Sequence, residues 1–374
     1  MTESIRRESA AFLHYALQRV ASAAGMTDEH AGYIADAIVF AHRQGKLNQG
    51  LGVYEAIDLV LAIGVLDPQA KPRLVAEGPA HAVFDGCRSS GYYTLNLMAQ
   101  AAIEKARETG IAIAFGGNHN DAGSFARYVY LAYEQDMMAI ASNNSVPLAA
   151  PYGGMENRLS CPPFDAIVPS GDEPPIWASL KFAEWYDADI SEAVLQDRPM
   201  QGKWLIDPDS GELSDDPRPY AKPIPGYGRV WDASCAGQIA SPRTYALNLW
   251  NEAMTTIINP LGIPSTEKPT IEDYAAGETK PSVGGSYYLC INPGRFGSID
   301  AVKQKSDGYI SKIKNVKPRP GQRVRIPGED GYRSLTENQS TVEVLENHWA
   351  PFFENIAGKY GLTEAALRSD FDSE

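Results

Sequence analysis

Ile111-Ala112-Ile113-Ala114-Phe115-Gly116-Gly117-Asn118-His119 carries the pattern from which the fold is read. An apolar run that stops at two glycines predicts a strand delivering its next residues to a sheet edge or cleft. Histidine has an unperturbed pKa near 6.5, suited to proton transfer near neutrality. His119, just past the strand end, is therefore a candidate acid or base. By residue type alone a histidine is more often structural or merely exposed.

Upstream, residues 92–107 predict a helix with Leu95, Ala99, Ala102 and Ala106 on one face, stopping at Gly110. Downstream, 123–134 predicts a helix leading into a strand at 137–141. Further strands are predicted at 164–168 and 286–291. Strands alternating with helices argue an α/β or α+β core. The first 65 residues read as helices. Thr27 is placed to cap one, with Ala31, Ile34, Ala35, Ile38 and Ala41 on one face and Gly45 as its stop. A second spans 53–62. Residues 202–243, rich in Pro, Gly and Asp, predict long loops. Helices are predicted at 245–257 and, amphipathic, at 343–360.

With 374 residues, 44% of them hydrophobic and 21% charged, the chain is an ordinary globular one able to bury a large core. A net charge of −14 argues against a nucleic-acid partner, because phosphates are neutralised by Lys and Arg. The local basic run Lys312-Ile313-Lys314-Asn315-Val316-Lys317-Pro318-Arg319 reads first as a solvated face. Cys87, Cys161, Cys235 and Cys290 are scattered without a CxxC pair, so neither a zinc site nor a disulfide framework is expected. No metal is expected. The N-terminus lacks the apolar core of a signal peptide and no apolar stretch is long enough for a membrane span, so the expected address is the cytoplasm.

Asn118-His119 opens a succession of short motifs. Asn144-Ser145-x-Pro147 follows, then Pro151-Tyr152-Gly153-Gly154, then Pro163 with a strand ending at Pro169. Trp204-x-x-Asp207, Asp216-Pro217 and Arg243-x-Tyr245-Ala246-Leu247 come next, then Ile291-x-Pro293-x-x-Phe296 and Ile326-Pro327-Gly328-Glu329. This order, from about residue 20 to 365, resembles the type-II malate/L-lactate dehydrogenase family. That family includes ureidoglycolate and sulfolactate dehydrogenases, diketogulonate reductase and the Δ1-piperideine-2-carboxylate reductases.

The resemblance implies an NAD(P)-binding domain on a largely antiparallel sheet, not the doubly wound nucleotide fold, beside a helical N-terminal domain. No GxGxxG follows a predicted strand and opens a helix here, in keeping with that. The implied division is 1–80 helical, 81–300 for cofactor and substrate, and 301–374 packing back on the N-terminal helices. Homodimers are implied, with the site between the helical and cofactor domains. The implied chemistry interconverts 2-hydroxy acids with 2-oxo acids, or cyclic imines with amines, using NADPH or NADH. Arg243 and the 312–319 run favour NADPH.

The chain departs from the family pattern where substrate is expected. The usual proton-donating histidine of Ser-His-Gly falls on Gln49, and the serine on Asn48. An amide hydrogen-bonds a carbonyl oxygen but delivers no proton near neutral pH. The arginine that binds the substrate carboxylate falls on Val53, and Lys46 is its possible displaced partner or simply a surface lysine. The Asp-x-Ala-x-Ser stretch falls on Ile176-Trp177-Ala178-Ser179 without its aspartate. The resemblance thus places His119, Asp207 and Gln49 as catalytic residues and Asn48, Lys46 and Asn118 on the substrate. It assigns Asn144, Ser145, Trp177, Ala178, Ser179, Arg243, Pro327, Gly328 and Glu329 to the cofactor. Three readings follow: a reductase with an altered substrate using His119; the same chemistry with His42 as the acid; and a non-catalytic dinucleotide- or ligand-binding homologue.

Overall fold

The computed structural model describes residues 4–185, 187–220, 237–238, 241–270, 273–274 and 276–373; Cys235 and most of the 221–240 loop region lie outside them. Ile111–Gly117 is a strand near the centre of a seven-stranded sheet. Across the sheet the order is Arg73–Gly78, His81–Asp85, Ile111–Gly117, Ser286–Ile291, Met138–Asn143, Pro163–Val168 and Ile176–Lys181. Only His81–Asp85 and Ile111–Gly117 pair in parallel; every other neighbour is antiparallel. The parallel pair is joined by the helix Gly91–Thr109, capped by the Ser90 hydroxyl and ended by Gly110 at φ +83°. Leu95, Ala99, Ala102 and Ala106 are buried, as their spacing predicts.

The sheet is antiparallel for a reason the local pattern does not carry. Ile111–Gly117 and Met138–Asn143 run parallel to each other, as strand–helix–strand alternation suggests. Ser286–Ile291, from far along the chain, lies between them and pairs antiparallel with both. The short helix before Met138–Asn143 begins at Ala126, because Gly123 at φ +60° belongs to the preceding turn.

The N-terminal helices Ala10–Ala23 and Asp28–Arg43 pack on each other, the second capped by Thr27 as expected. Their core includes Phe12, Leu13, Leu17, Ile34 and Ile38 with Trp349, Phe352, Phe353 and Ile356 from the C-terminal region. Two differences from the sequence reading occur here. Ile5–Ser9 is a strand, not helix, and pairs antiparallel with Thr341–Leu345. The helix expected over 343–360 therefore begins only at Glu346, because Val342 and Val344 alternate inward in a half-buried strand. Past Pro351 the helix passes into one π turn and one 3₁₀ turn. Among the described residues no helix is long and apolar enough to cross a membrane.

Candidate active site

Asp28–Arg43 ends against a turn that Gly45 makes at φ +78°, and the chain then forms the short helical turns Leu47–Gln49 and Leu51–Val53. His42 pins this turn. Its Nδ1 donates to the Glu343 carbonyl at 2.8 Å, and its Nε2 accepts from the Leu51 N–H at 2.8 Å. Burial, with His348 nearby, lowers its pKa to about 4 against the Glu343 hydrogen bond. His42 is thus a neutral ring committed at both nitrogens. It is a clamp within the fold, not the alternative acid. Gly50 lets the ring approach: a Cβ there would lie 2.2 Å from His42 Nε2.

The turn forms one wall of a cleft of about 640 Å³. Lys46, Asn48 and Gln49 meet Trp177, Ser179 and Gly328 there, so expected substrate residues and expected cofactor residues share one cavity. Lys46 Nζ donates to Ser179 Oγ at 2.9 Å, so Lys46 is not a plain surface lysine. Ser179 stands opposite Asp165 across the antiparallel pair, and Trp177 Nε1 donates to Asp165 Oδ1 at 3.3 Å. Asp165 is only 2% exposed. Burial raises its pKa, opposed by Lys46, Ser179 and Trp177. Lys46 in turn is lowered by burial and raised by Asp165, with a net lowering. Asp165 was missed in the sequence. The available signal was a carboxylate inside the apolar run Phe164-Asp165-Ala166-Ile167-Val168.

Gly328 fits against Trp177 because it lacks a side chain and sits at φ +84°; a Cβ would lie 2.4 Å from Trp177 Cβ. The Trp177 N–H donates to the Pro327 carbonyl at 3.4 Å, and the indole stacks on Tyr130 with centroids 5.6 Å apart. Ala178 falls on the opposite strand face from Trp177 and Ser179. Glu329 is buried in a charge cluster, 2.8 Å from Arg323 and 3.1 Å from Arg333. Burial pushes its carboxyl up, but the Ile326 N–H, Lys314 and Arg323 outweigh it and leave the pKa lowered. Lys314 of the basic run pairs with Glu173 as well as Glu329, so part of that run is an internal ion network. Gln44 and Gln49 each carry a buried amide oxygen with no hydrogen-bond partner among the described residues.

His119 is not among the residues lining this cleft. It is fully buried at the end of Ile111–Gly117, after Asn118 at φ +54°. Asn118 Nδ2 donates to Asp85 Oδ1 at 2.8 Å. His119 Nδ1 donates to the Asn120 carbonyl at 2.8 Å, which leaves Nε2 as acceptor from Ser286 Oγ at 3.0 Å. Burial, with Lys268 nearby, lowers its pKa to about 4 against the Asn120 hydrogen bond. The polar layer continues through Asn144, whose Nδ2 donates to Glu252 Oε1 at 3.1 Å and to the Ile263 carbonyl at 3.0 Å. Ser145 is half-buried beside it, and its hydroxyl donates to the Val146 carbonyl at 3.4 Å. Asp207 stands apart from both groups. Its carboxylate is exposed and accepts from the Ser210 N–H at 2.8 Å and the Asp209 N–H at 3.2 Å, as a turn aspartate does. Arg243 is exposed in the first turn of Pro242–Glu252.

Comparison with known proteins gives a consistent result. The sequence model described as "Malate/L-lactate dehydrogenase" matches residues 9–352. The L-sulfolactate dehydrogenase of Methanocaldococcus jannaschii is 28% identical over 338 residues, covering 90% of this chain and 92% of that protein. Its solved structure superposes with a TM-score of 0.80 over 96% of this chain and 98% of its own, at 25% identity. The ureidoglycolate dehydrogenase (NAD(+)) of Escherichia coli is 21% identical, covering 89% of this chain and 90% of its own. The Δ1-piperideine-2-carboxylate reductase of Pseudomonas syringae shares the fold, with a TM-score of 0.77 at 21% identity over 89% of this chain and 94% of its own.

Proposed function

The chain belongs to the malate/L-lactate dehydrogenase family of NAD(P)-dependent oxidoreductases, and from that premise we propose that it reduces the C=O or C=N carbon of a small polar substrate of the 2-oxo acid or cyclic imine type. The observation that carries this reading is the convergence of the Gln44–Gln49 turn, the Ile176–Lys181 strand and Gly328 on one cleft. Its volume of about 640 Å³ lies in the range of small-molecule and cofactor pockets. Two orphaned amide oxygens, a hydroxyl and one cation suit a carboxamide-bearing nicotinamide beside a polar substrate. NADPH or NADH, when bound, supplies the hydride.

The chain's own residues then have separable tasks. Gln49 and Asn48 orient the substrate's polar atom from the turn that His42 holds. Ser179 and Gly328, the latter packed on the buried Trp177, form the wall on which the flat cofactor ring would rest. The missing carboxylate-binding arginine, Val53, favours an imine or a weakly charged substrate over a dicarboxylate. A protonated imine is already a good hydride acceptor and so needs less help from an acid.

Titration of the purified protein with NADPH and NADH, followed by indole fluorescence and by reduced-nicotinamide absorbance over a panel of 2-oxo acids and cyclic imines, tests this. The expected result is binding of one cofactor and its oxidation with a panel member. Binding without turnover on any member favours the non-catalytic alternative; no binding of either cofactor overturns the reading.

A further inference from the structure

Gln49 stands where the family pattern has its proton-donating histidine, and among the described residues the cleft is lined by one ionisable side chain, Lys46. Lys46 is not isolated. Its ammonium donates to Ser179 Oγ, Ser179 faces Asp165 across the strand pair, and the Asp165 carboxylate is held from behind by Trp177 Nε1. Asp165 is almost fully buried and, among the described residues, no cation lies within ion-pair distance of it; Lys46 acts on it through space and through Ser179. The string therefore ends in a carboxylate whose one cationic neighbour is Lys46.

We propose that Lys46 is the proton donor of this cleft and that Asp165, acting through Ser179, is its positioning residue. This rests on the oxidoreductase reading above and goes beyond it by naming the acid. As the substrate carbon accepts the hydride from NAD(P)H, the C=O or C=N π electron pair moves onto oxygen or nitrogen. A carbonyl oxygen, or the nitrogen of an imine that is not already protonated, takes a proton from Lys46 Nζ, so one N–H bond breaks and one O–H or N–H bond forms. Lys46 is left as a neutral amine and regains a proton from water at the open side of the cleft. A lysine partly withdrawn from water releases its proton more readily than a free one, and a nearby carboxylate keeps it charged until substrate arrives.

Other charges around the cleft are already engaged. Arg43, on the helix leading to Lys46, donates to the Asn338 carbonyl. Lys181, further along the Ser179 strand, pairs with Asp189. Glu329 is held by Arg323 and Arg333, and Glu343 by Arg7. Asp165 is the group placed to tune Lys46.

Two readouts test the proposal. The first needs no turnover: the lysines are reductively methylated with ¹³C and Lys46 is titrated by NMR, assigned by its loss in Lys46→Arg. Lys46 is expected to titrate below ordinary lysines, and lower still in Asp165→Asn, because removing the carboxylate leaves desolvation unopposed. Ser179→Ala, a milder change, is expected to move it as well, and serves should Asp165→Asn fold poorly. An ordinary titration unmoved by either variant overturns the proposal.

The second readout is kinetic. Lys46→Arg keeps the cation but cannot donate a proton near neutrality, so kcat is expected to fall by about 10²–10⁴ with little change in KM. The high-pH limit of kcat is expected to move to lower pH in Asp165→Asn. If Lys46→Arg keeps kcat, Lys46 is an anion clamp and the proposal fails. If the wild-type chain turns over no panel substrate, the oxidoreductase reading fails, and the NMR titration still decides whether the Lys46–Asp165 coupling exists.

Discussion

At the scale of single residues, the sequence named the members of the cleft but not their pairing. Lys46, Gln49, Trp177 and Ser179 were all legible as candidates; that Lys46 reaches Ser179, 133 positions away, was not. Such a contact depends on how the N-terminal helices dock on the sheet edge. Asp165 was hidden because the register that sets it opposite Ser179 is decided by pairing, not by local pattern. His119 was legible as a buried polar group at a strand end, but its two hydrogen bonds fix it as a neutral acceptor. With Lys46 as the donor, His119→Gln is expected to lower stability more than turnover, measured by melting temperature and kcat on one preparation. A kcat loss of about 10²–10⁴ with stability intact would instead make His119 the acid.

At the scale of elements, the turn Gly45 to Val53 decides the cleft, and His42 decides the turn. Gly50→Ala places a methyl on the imidazole, so it is expected to cost about 1–3 kcal/mol by overpacking, with weaker NAD(P)H binding. Urea unfolding and a cofactor titration check both parts; a variant as stable as wild type would show that the ring has room to move. The helices Asp28–Arg43 and Gly91–Thr109 are legible in the sequence because their apolar spacing and their caps are local. The Ile5–Ser9 and Thr341–Leu345 strands were not, because each is short and finds its partner at the other end of the chain. Trp349, which follows the second of these strands, packs against Phe12 and Phe353. Trp349→Ala is expected to cost about 3–5 kcal/mol, read by the same unfolding measurement.

At the scale of the whole molecule, His30, His42 and His119 are all buried with pKa lowered to about 4, in each case chiefly by desolvation. A folded-state pKa below the unfolded one means that the unfolded chain binds more protons between those values. Stability is therefore fully present above about pH 6.5 and is lost as pH falls toward 4, by on the order of 3 kcal/mol for each ring. Melting temperatures across this window are expected to drop steeply; a flat profile would mean the rings are protonated in the fold. The segment after Pro242 leaves Trp250 50% and Ile257 78% exposed, with Leu247, Leu249 and Ile258 also exposed. A second copy of the chain covering this face would give the homodimer implied by the resemblance. Light scattering is expected to find a dimer that Ile257→Glu weakens, whereas a monomeric wild type would remove that proposal.

The antiparallel sheet shows how far local pattern reaches: the four strands at Ile111–Gly117, Met138–Asn143, Pro163–Val168 and Ser286–Ile291 are legible as apolar runs, whereas Arg73–Gly78, His81–Asp85, Ile176–Lys181 and the insertion of Ser286–Ile291 between two parallel neighbours are not. The same insertion brings Ser286 onto His119.

The central claim is that the cleft between the Gln44–Gln49 turn and the Ile176–Lys181 strand receives the nicotinamide and the reacting carbon. A crystal structure of the chain with NADPH bound tests it most directly. The account expects nicotinamide C4 to lie in that cleft, with Lys46 Nζ facing the site of the substrate's oxygen or nitrogen; a nicotinamide seated elsewhere, with Lys46 turned away from it, would contradict it.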